Sequence, residues 1–267
     1  MRGVRKTTRA MSNAVSMVII TAATIVLVLV ASNYAYQVLE RQRGASEFDA
    51  VKKSFIAFDD AVRDVALDER GSRSAHFTIS YGVLELAPNS LPLNVTVNEY
   101  SDVSYSDNVG YVRYTLPSDY VNLGSNYKEY LLGDDKTVIN STTEDLACAL
   151  IDQESSQIRL TFYYRVRILG PNIVQVNGSM VGYIEILVIK LTASQHSVDN
   201  GDFDLVAKNV NITTESFGPY DAYDQITVNV TLGDASTSVN MNLNVKGQVN
   251  YVVFNFVIAE ISVSIRR

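Results

Sequence analysis

Hydrophobic and polar positions divide the chain into three parts, and the first is apolar throughout. Nineteen residues from Ala14 to Ser32 carry no charge, and the whole uncharged span runs from Ala10 to Leu39. At about 1.5 Å per residue, 19 helical residues extend roughly 28 Å, close to the hydrocarbon thickness of a bilayer. A cleaved secretory signal has a shorter apolar region and a small-residue cleavage site, which Ala31-Ser32 before bulky Tyr34 does not provide. The pattern predicts a retained transmembrane helix.

The second part has the period of an amphipathic helix. Apolar residues recur at spacings of three and four, and charged residues fill the other faces. The stripe comprises Phe48, Val51, Phe55, Phe58, Val62 and Val65. No proline precedes Pro88, so we predict one helix from about Ser12 to Arg70. Gly44 is its one weak point, where the helix could bend, and Gly71 is predicted to be the C-terminal cap glycine.

In the third part, from Gly71 onward, the period changes to two. Residues 226–232 and 239–246 alternate around Gly233-Asp234-Ala235-Ser236, and Asn177-Gly178 separates two further apolar runs. Both patterns predict β-hairpins. The last apolar stretch, Tyr251 to Ile265, is too short to span a bilayer and contains Glu260, so it is predicted to be a strand. Regular strand and turn spacing predicts an antiparallel β-sandwich.

Charge indicates how the chain is oriented and which partners it excludes. Arg2, Arg5, Lys6 and Arg9 precede the apolar run without an acid among them, which predicts a cytosolic N-terminus and an extracellular C-terminal domain. The formal net charge is −7 and the isoelectric point is about 4.9. An acidic chain argues against nucleic acid as a partner. Cys148 is the only cysteine, so an intrachain disulfide is excluded.

The N-terminal residues resemble a known class of leader. Arg9-Ala10 before Met11, with the apolar run starting almost at once, resembles the class III leader of archaeal type IV pilins and archaellins. The resemblance covers about the first quarter of the chain. It implies that a prepilin-type membrane peptidase cuts between Ala10 and Met11, and that the apolar helix packs in a filament core while a β-rich head faces outward. Val15 occupies the fifth mature position, where the bacterial branch has Glu.

These observations predict an α+β protein with four regions. They are a basic cytosolic leader at residues 1–10, a transmembrane helix at 11–32, an amphipathic continuation of the stalk at 33–70 and an extracytoplasmic β-sandwich at 71–267. Small residues at Ala14, Ala22, Ala23 and Ala31 are candidate helix–helix packing positions. Membrane lipid, other copies of the chain and other pilin-like subunits are the expected partners. Two functions follow: a pilin-like structural or adhesive subunit of an archaeal surface filament, or a single-pass anchored binding or cell-envelope domain that does not polymerise.

The chemistry-bearing residues predict surface modification but no catalysis. Asn-x-Ser/Thr tripeptides make five asparagines candidate glycosylation sites: Asn94, Asn140, Asn177, Asn211 and Asn229. Metal-protease, nucleophile-elbow, Walker A and dinucleotide motifs are absent from the sequence, so we expect no enzyme activity, metal or cofactor. Seven tyrosines lie among Ser, Asp and Asn residues, a composition that suits either adhesive loops or core filling. They are Tyr100, Tyr105, Tyr111, Tyr114, Tyr120, Tyr127 and Tyr130.

Overall fold

The chain folds into one long helix followed by a mostly β domain. The computed structural model describes residues 5–68, 70–193, 196–243 and 249–267, with side chains from Val15 onward. Its helix is α1 (Arg5–Ala66). The strands are β1 (Ser72–Ile79), β2 (Val83–Val97), β3 (Tyr100–Pro117), β4 (Lys128–Leu132), β5 (Val138–Ile139), β6 (Ala147–Glu154), β7 (Gln157–Tyr164), β8 (Val166–Val176), β9 (Ser179–Thr192), β10 (His196–Val198), β11 (Gly201–Asp221), β12 (Gln225–Leu232), β13 (Ala235–Asn242) and β14 (Tyr251–Arg266).

The two halves of α1 have different surroundings. Its 62 residues make a rod of about 93 Å. Every described side chain from Val15 to Leu39 is exposed, whereas burial begins at Gly44. The predicted apolar stripe is confirmed, because its six members from Phe48 to Val65 are each at most 2% exposed. The C-terminal half of α1 is therefore part of the folded domain, and the N-terminal half projects from it.

Helix α1 ends at Ala66, four residues before the predicted end, and a side chain from the β domain caps it there. Asn209 of β11 donates its amide hydrogens to the carbonyls of Val65 and Ala66 at 2.8 and 3.1 Å. These carbonyls belong to the last turn, and that of Val65 also accepts from the backbone N–H of Asp68 at 3.1 Å. The prediction of Gly71 as the cap was wrong: Arg70 adopts the left-handed conformation, with φ of 68°.

The strands form a six-stranded and an eight-stranded sheet. The six-stranded sheet has the order β1-β11-β14-β9-β8-β5; the eight-stranded sheet has the order β13-β12-β2-β3-β7-β6-β4, and β10 also pairs with β2. Most pairs are antiparallel, as predicted, but β9 and β14 run parallel over twelve residue pairs and β5 pairs with β8 in parallel. A parallel pair requires a long crossover, and strands β10 to β13 supply one between β9 and β14.

Two hydrophobic cores lie between these elements. One, the helix core, combines the α1 stripe with residues of both sheets, and Phe55 and Phe58 of α1 contact Phe162 of β7 with ring centroids 5.7 and 5.5 Å apart. The other, the all-β core, contains residues of both sheets and none of α1. On β14, even-numbered residues 252–258 belong to the all-β core and odd-numbered residues 259–263 to the helix core. Since successive strand residues face opposite sides, β14 turns one face towards each core.

The local β predictions are confirmed. Strands β12 and β13 pair from Gln225↔Asn242 to Leu232↔Ala235, and β8 and β9 pair up to Val176↔Ser179 around Asn177-Gly178, both with positive φ. The second predicted strand continued to residue 246, and residues 244–248 lie outside the described part of the chain. The final apolar stretch is β14, a central strand between β11 and β9.

Candidate functional site: the exposed half of the helix and its junction with the β domain

The exposed half of α1 carries most of the exposed large hydrophobic side chains among the described residues. Met17, Val18, Leu27 and Leu29 are 73%, 68%, 68% and 63% exposed. This is the one described helix long and apolar enough to cross a membrane, with a mean hydropathy of 2.6 over its most apolar window and none of that window buried. An apolar surface of this size in water implies a lipid or protein partner.

Two hydroxyl groups within this half are bonded to the helix itself. The hydroxyl of Thr21 donates to the carbonyl of Met17, and that of Thr24 donates to the carbonyl of Ile20, both at 2.8 Å. The donor of each hydroxyl is thus used within the helix. The two threonines are therefore compatible with an apolar medium.

The candidate helix-packing alanines do not form one stripe. Ala22, Ala23 and Ala31 are all exposed, and the side chain of Ala14 lies outside the described ones. At 100° per residue, Ala22 and Ala23 are 100° apart around the axis, and Ala31 is opposite Ala22. A single partner helix could not use all three positions, so they suit close contact with several neighbours.

The carboxylate of Glu47 fixes α1 to the β domain, a few residues after the exposed half ends. The two oxygens of Glu47 accept hydrogen bonds from the backbone N–H groups of Ser80, Tyr81 and Gly82, at 2.7 to 3.2 Å. The hydroxyl of Tyr114 donates to Glu47 at 2.7 Å. Burial, and then the adjacent Glu47, raise the pKa of Tyr114 well above its ordinary value, so this hydroxyl stays a donor. Glu47 therefore sets the position of α1 relative to the β1–β2 turn.

Gly44 allows a tyrosine to lie against the helix at the same junction. A Cβ at this position would be 2.6 Å from the ring of Tyr120. Helix α1 continues without a break through Gly44. The glycine is explained by this close approach rather than by flexibility.

Farther along α1, a buried acid joins the helix to β7. Asp59, 1% exposed, accepts a hydrogen bond from the Tyr164 hydroxyl at 3.0 Å and from Arg63 at 2.5 Å. Burial raises the pKa of the Asp59 carboxyl above its ordinary value, although Arg63 and Tyr164 oppose that shift. The fold therefore disfavours the charged form of this carboxyl.

The five candidate glycosylation asparagines differ in accessibility. Asn94, Asn140, Asn177 and Asn211 are exposed. Asn229 is half-buried, and its amide donates to the side-chain oxygen of Asn98 at 2.6 Å. Asn140 lies outside the strands, directly after β5, whereas Asn177 occupies a tight turn. Glycosylation at all five positions stays a prediction.

The leader residues Arg9, Ala10 and Met11 fall within α1, but their side chains lie outside the described ones. Peptidase processing there stays a prediction.

The absence of catalytic chemistry stays a prediction, and the structure shows where the reactive side chains lie. Among the described residues, no three His, Cys, Asp or Glu side chains are grouped so as to hold a metal ion. Cys148 is buried, and burial raises the pKa of its thiol. The seven clustered tyrosines are all buried or half-buried, which favours core filling over an adhesive surface.

Glu47 and Asn209 are the residues that the sequence did not single out. Glu47 looks like one of several charges on the polar side of the stripe, and Asn209 like one of many strand asparagines. The available signal is weak: Glu47 immediately precedes Phe48, the first residue of the stripe.

Comparison with known proteins shows a similarity to one family and no activity. Residues 9–122 match the model of a family described as a family of unknown function, DUF7289. The chain matches no curated protein and no solved structure. From α1 through β3, this protein is thus similar to a family whose function is unknown.

Proposed function

We propose that this protein is a pilin-like structural subunit of an archaeal cell-surface filament. In this proposal α1 first anchors the chain in the membrane, with the N-terminus cytosolic, and later packs in the filament core. The β domain, as a sandwich of its two sheets, faces outward. The proposal takes the class III leader, with cleavage between Ala10 and Met11 by a prepilin-type peptidase, from the resemblance of the N-terminal residues.

One observation carries the proposal: a single continuous helix is apolar and exposed in one half and packed into the domain in the other. A membrane anchor needs only the exposed half and a linker of any conformation. Here Glu47, Gly44 and the buried stripe fix the C-terminal half of α1 to the β domain, and the exposed half continues the same helix without a break. A continuous helical connection suits the regular packing of many copies.

The placement of the alanines favours the filament over the alternative function, a single-pass anchored binding or cell-envelope domain that does not polymerise. Ala22, Ala23 and Ala31 lie on different sides of α1, which suits a helix surrounded by several neighbours. The structural role is also favoured over an adhesive one, because two of the clustered tyrosines are buried and the other five are half-buried.

The test is to determine where the protein is found and where its mature chain begins. Cells that make surface filaments are sheared, and the released filaments are separated from the membranes. We expect the protein in the filament fraction with Met11 as its first residue. A chain that stays wholly in the membrane fraction would establish the anchored alternative, and a chain beginning near Asn33 would refute both functions.

A further inference from the structure

A groove of about 350 Å³ lies between the segment that includes β5 and the strand β13, at the edges of the two sheets. Its walls are tied together, because the N–H of Thr137 donates to the Thr237 hydroxyl at 2.9 Å and the Thr137 hydroxyl donates to the carbonyl of Val230 at 2.7 Å. The volume is at the lower end of the range for small-molecule sites, about 300–1000 Å³. The groove is therefore preformed.

The lining of the groove fits a neutral ligand rich in hydroxyl groups. Lys136 and Glu144 face it with opposite charges, their Nζ and Oε2 atoms 3.6 Å apart. The Glu144 side chain lines the groove and is 38% exposed, so its carboxylate can accept a hydrogen bond from a ligand hydroxyl. The Ser238 hydroxyl offers a further donor and acceptor, while half-buried Val239 supplies apolar surface. Lys136 would repel a positively charged ligand, and Glu144 would repel a negatively charged one.

The wall of this groove also contains a candidate glycosylation site. Asn140, of the tripeptide Asn140-Ser141-Thr142, lines the groove, is exposed and lies outside the strands. The other four candidate asparagines do not line it. The residues that follow turn tightly, since the N–H of Thr143 donates to the Ser141 hydroxyl at 3.1 Å. A saccharide attached at Asn140 would begin at the rim of the groove.

We propose that the groove is a saccharide-binding site, and that its occupant is the first part of a glycan attached to Asn140. The proposal rests on the proposed extracytoplasmic position of the β domain. The saccharide hydroxyls bond Glu144 and Ser238, and an apolar sugar face covers Val239. The glycan thereby stabilises the contact between the edges of the two sheets.

Attachment is tested first, on full-length protein purified from the membranes or filaments of the cells that produce it. Mass spectrometry of the peptide containing Asn140 is compared for wild type, Thr142→Ala and Thr142→Ser. We expect a hexose-containing mass increment in wild type and Thr142→Ser and its loss in Thr142→Ala. Protease added to intact cells reports the position of the domain separately. An accessible domain with unmodified Asn140 overturns this proposal alone, while an inaccessible domain overturns the proposed function and this proposal with it.

Seating in the groove is tested by filling it. Ser238→Tyr places a ring in the groove, and Ser236→Tyr, on the same strand but outside the groove lining, is the matched control. We expect removal of the glycan by Thr142→Ala to lower the thermal midpoint by about 2–4 °C in wild type and in Ser236→Tyr, but not in Ser238→Tyr. An equal effect in all three backgrounds would show that the glycan projects into solvent and would overturn the proposal. Saturable binding of free N-acetylglucosamine or galactose to the Thr142→Ala protein, abolished by Ser238→Tyr, together with unmodified Asn140 in wild type, would replace the attached glycan by a free saccharide.

Discussion

At the scale of single residues, Glu47 shows how much depends on the acceptor capacity of one carboxylate. Its two oxygens accept from three backbone N–H groups and from the Tyr114 hydroxyl. Glutamine has the same shape, but its amide nitrogen donates and would face these donors. We expect Glu47→Gln to destabilise the protein by about 2 kcal/mol, since it leaves buried donors without an acceptor. Thermal unfolding followed by circular dichroism measures the loss.

The matched control is Asp49→Asn, two residues away on the same helix. The Asp49 side chain is 69% exposed and pairs only with Lys52 among the contacts described, and such exposed pairs contribute little. Equal losses in the two variants would mean that the junction has no special role for Glu47.

Asp59 makes stability depend on pH. Because burial raises its pKa in the folded state, the folded protein binds the proton more tightly than the unfolded chain. Proton binding by Asp59 therefore contributes its full stability at pH values below the pKa of the unfolded chain, about 3.9. This contribution is lost as pH rises through the raised pKa of the folded protein. Asparagine mimics the protonated form and still accepts from Tyr164. We expect the thermal midpoint of Asp59→Asn to exceed that of wild type at pH 7, and the difference to shrink as pH falls towards 4.

Asp60→Asn serves as the comparison for this measurement, because the Asp60 side chain is 70% exposed and also lies near Arg63. It should change the midpoint little at any pH. A wild type more stable than Asp59→Asn at pH 7 would show that the ion pair with Arg63 outweighs the burial of the carboxylate.

At the scale of elements, local patterns predicted the helix, its buried stripe and the two hairpins, since each depends on neighbours in sequence. The Asn177-Gly178 turn requires two positive φ angles, which these residues adopt readily. The parallel pairing of β9 with β14 and the capping of α1 by Asn209 join residues distant in sequence, and no local period encodes them. The groove beside Asn140 was unpredictable for the same reason, because β13 supplies one wall.

Helix α1 determines at which residue an independently folding domain can begin. The β domain from Gly71 onward cannot be complete, because the α1 stripe fills the helix core. Removing Phe48, Phe55 and Phe58 would expose the aromatic surface around Phe162 and Phe77. We expect a chain of residues 41–267 to be soluble and to unfold cooperatively, and a chain of residues 71–267 to aggregate. Expression of both chains, followed by size-exclusion chromatography, tests this. A monomeric, cooperatively folded 71–267 chain would contradict the role assigned to α1.

At the scale of the whole molecule, the exposed half of α1 must exchange lipid for neighbouring subunits if the protein polymerises. Lipid and protein bury the same apolar surface, so close packing of helix against helix supplies the preference for the filament. Ala22 is exposed on α1, and a phenylalanine there would keep neighbouring helices apart without reducing hydropathy. We therefore expect Ala22→Phe to leave membrane insertion intact and to reduce the protein in sheared filaments at least tenfold.

The matched control for this last prediction is Leu27→Phe, because Leu27 is 68% exposed on the same segment and already bulky. It should assemble nearly as well as wild type. Protease accessibility of the β domain on intact cells verifies insertion for both variants. Normal assembly of Ala22→Phe would mean that α1 is not closely packed at this level, and the anchored alternative would then explain the apolar helix by lipid alone.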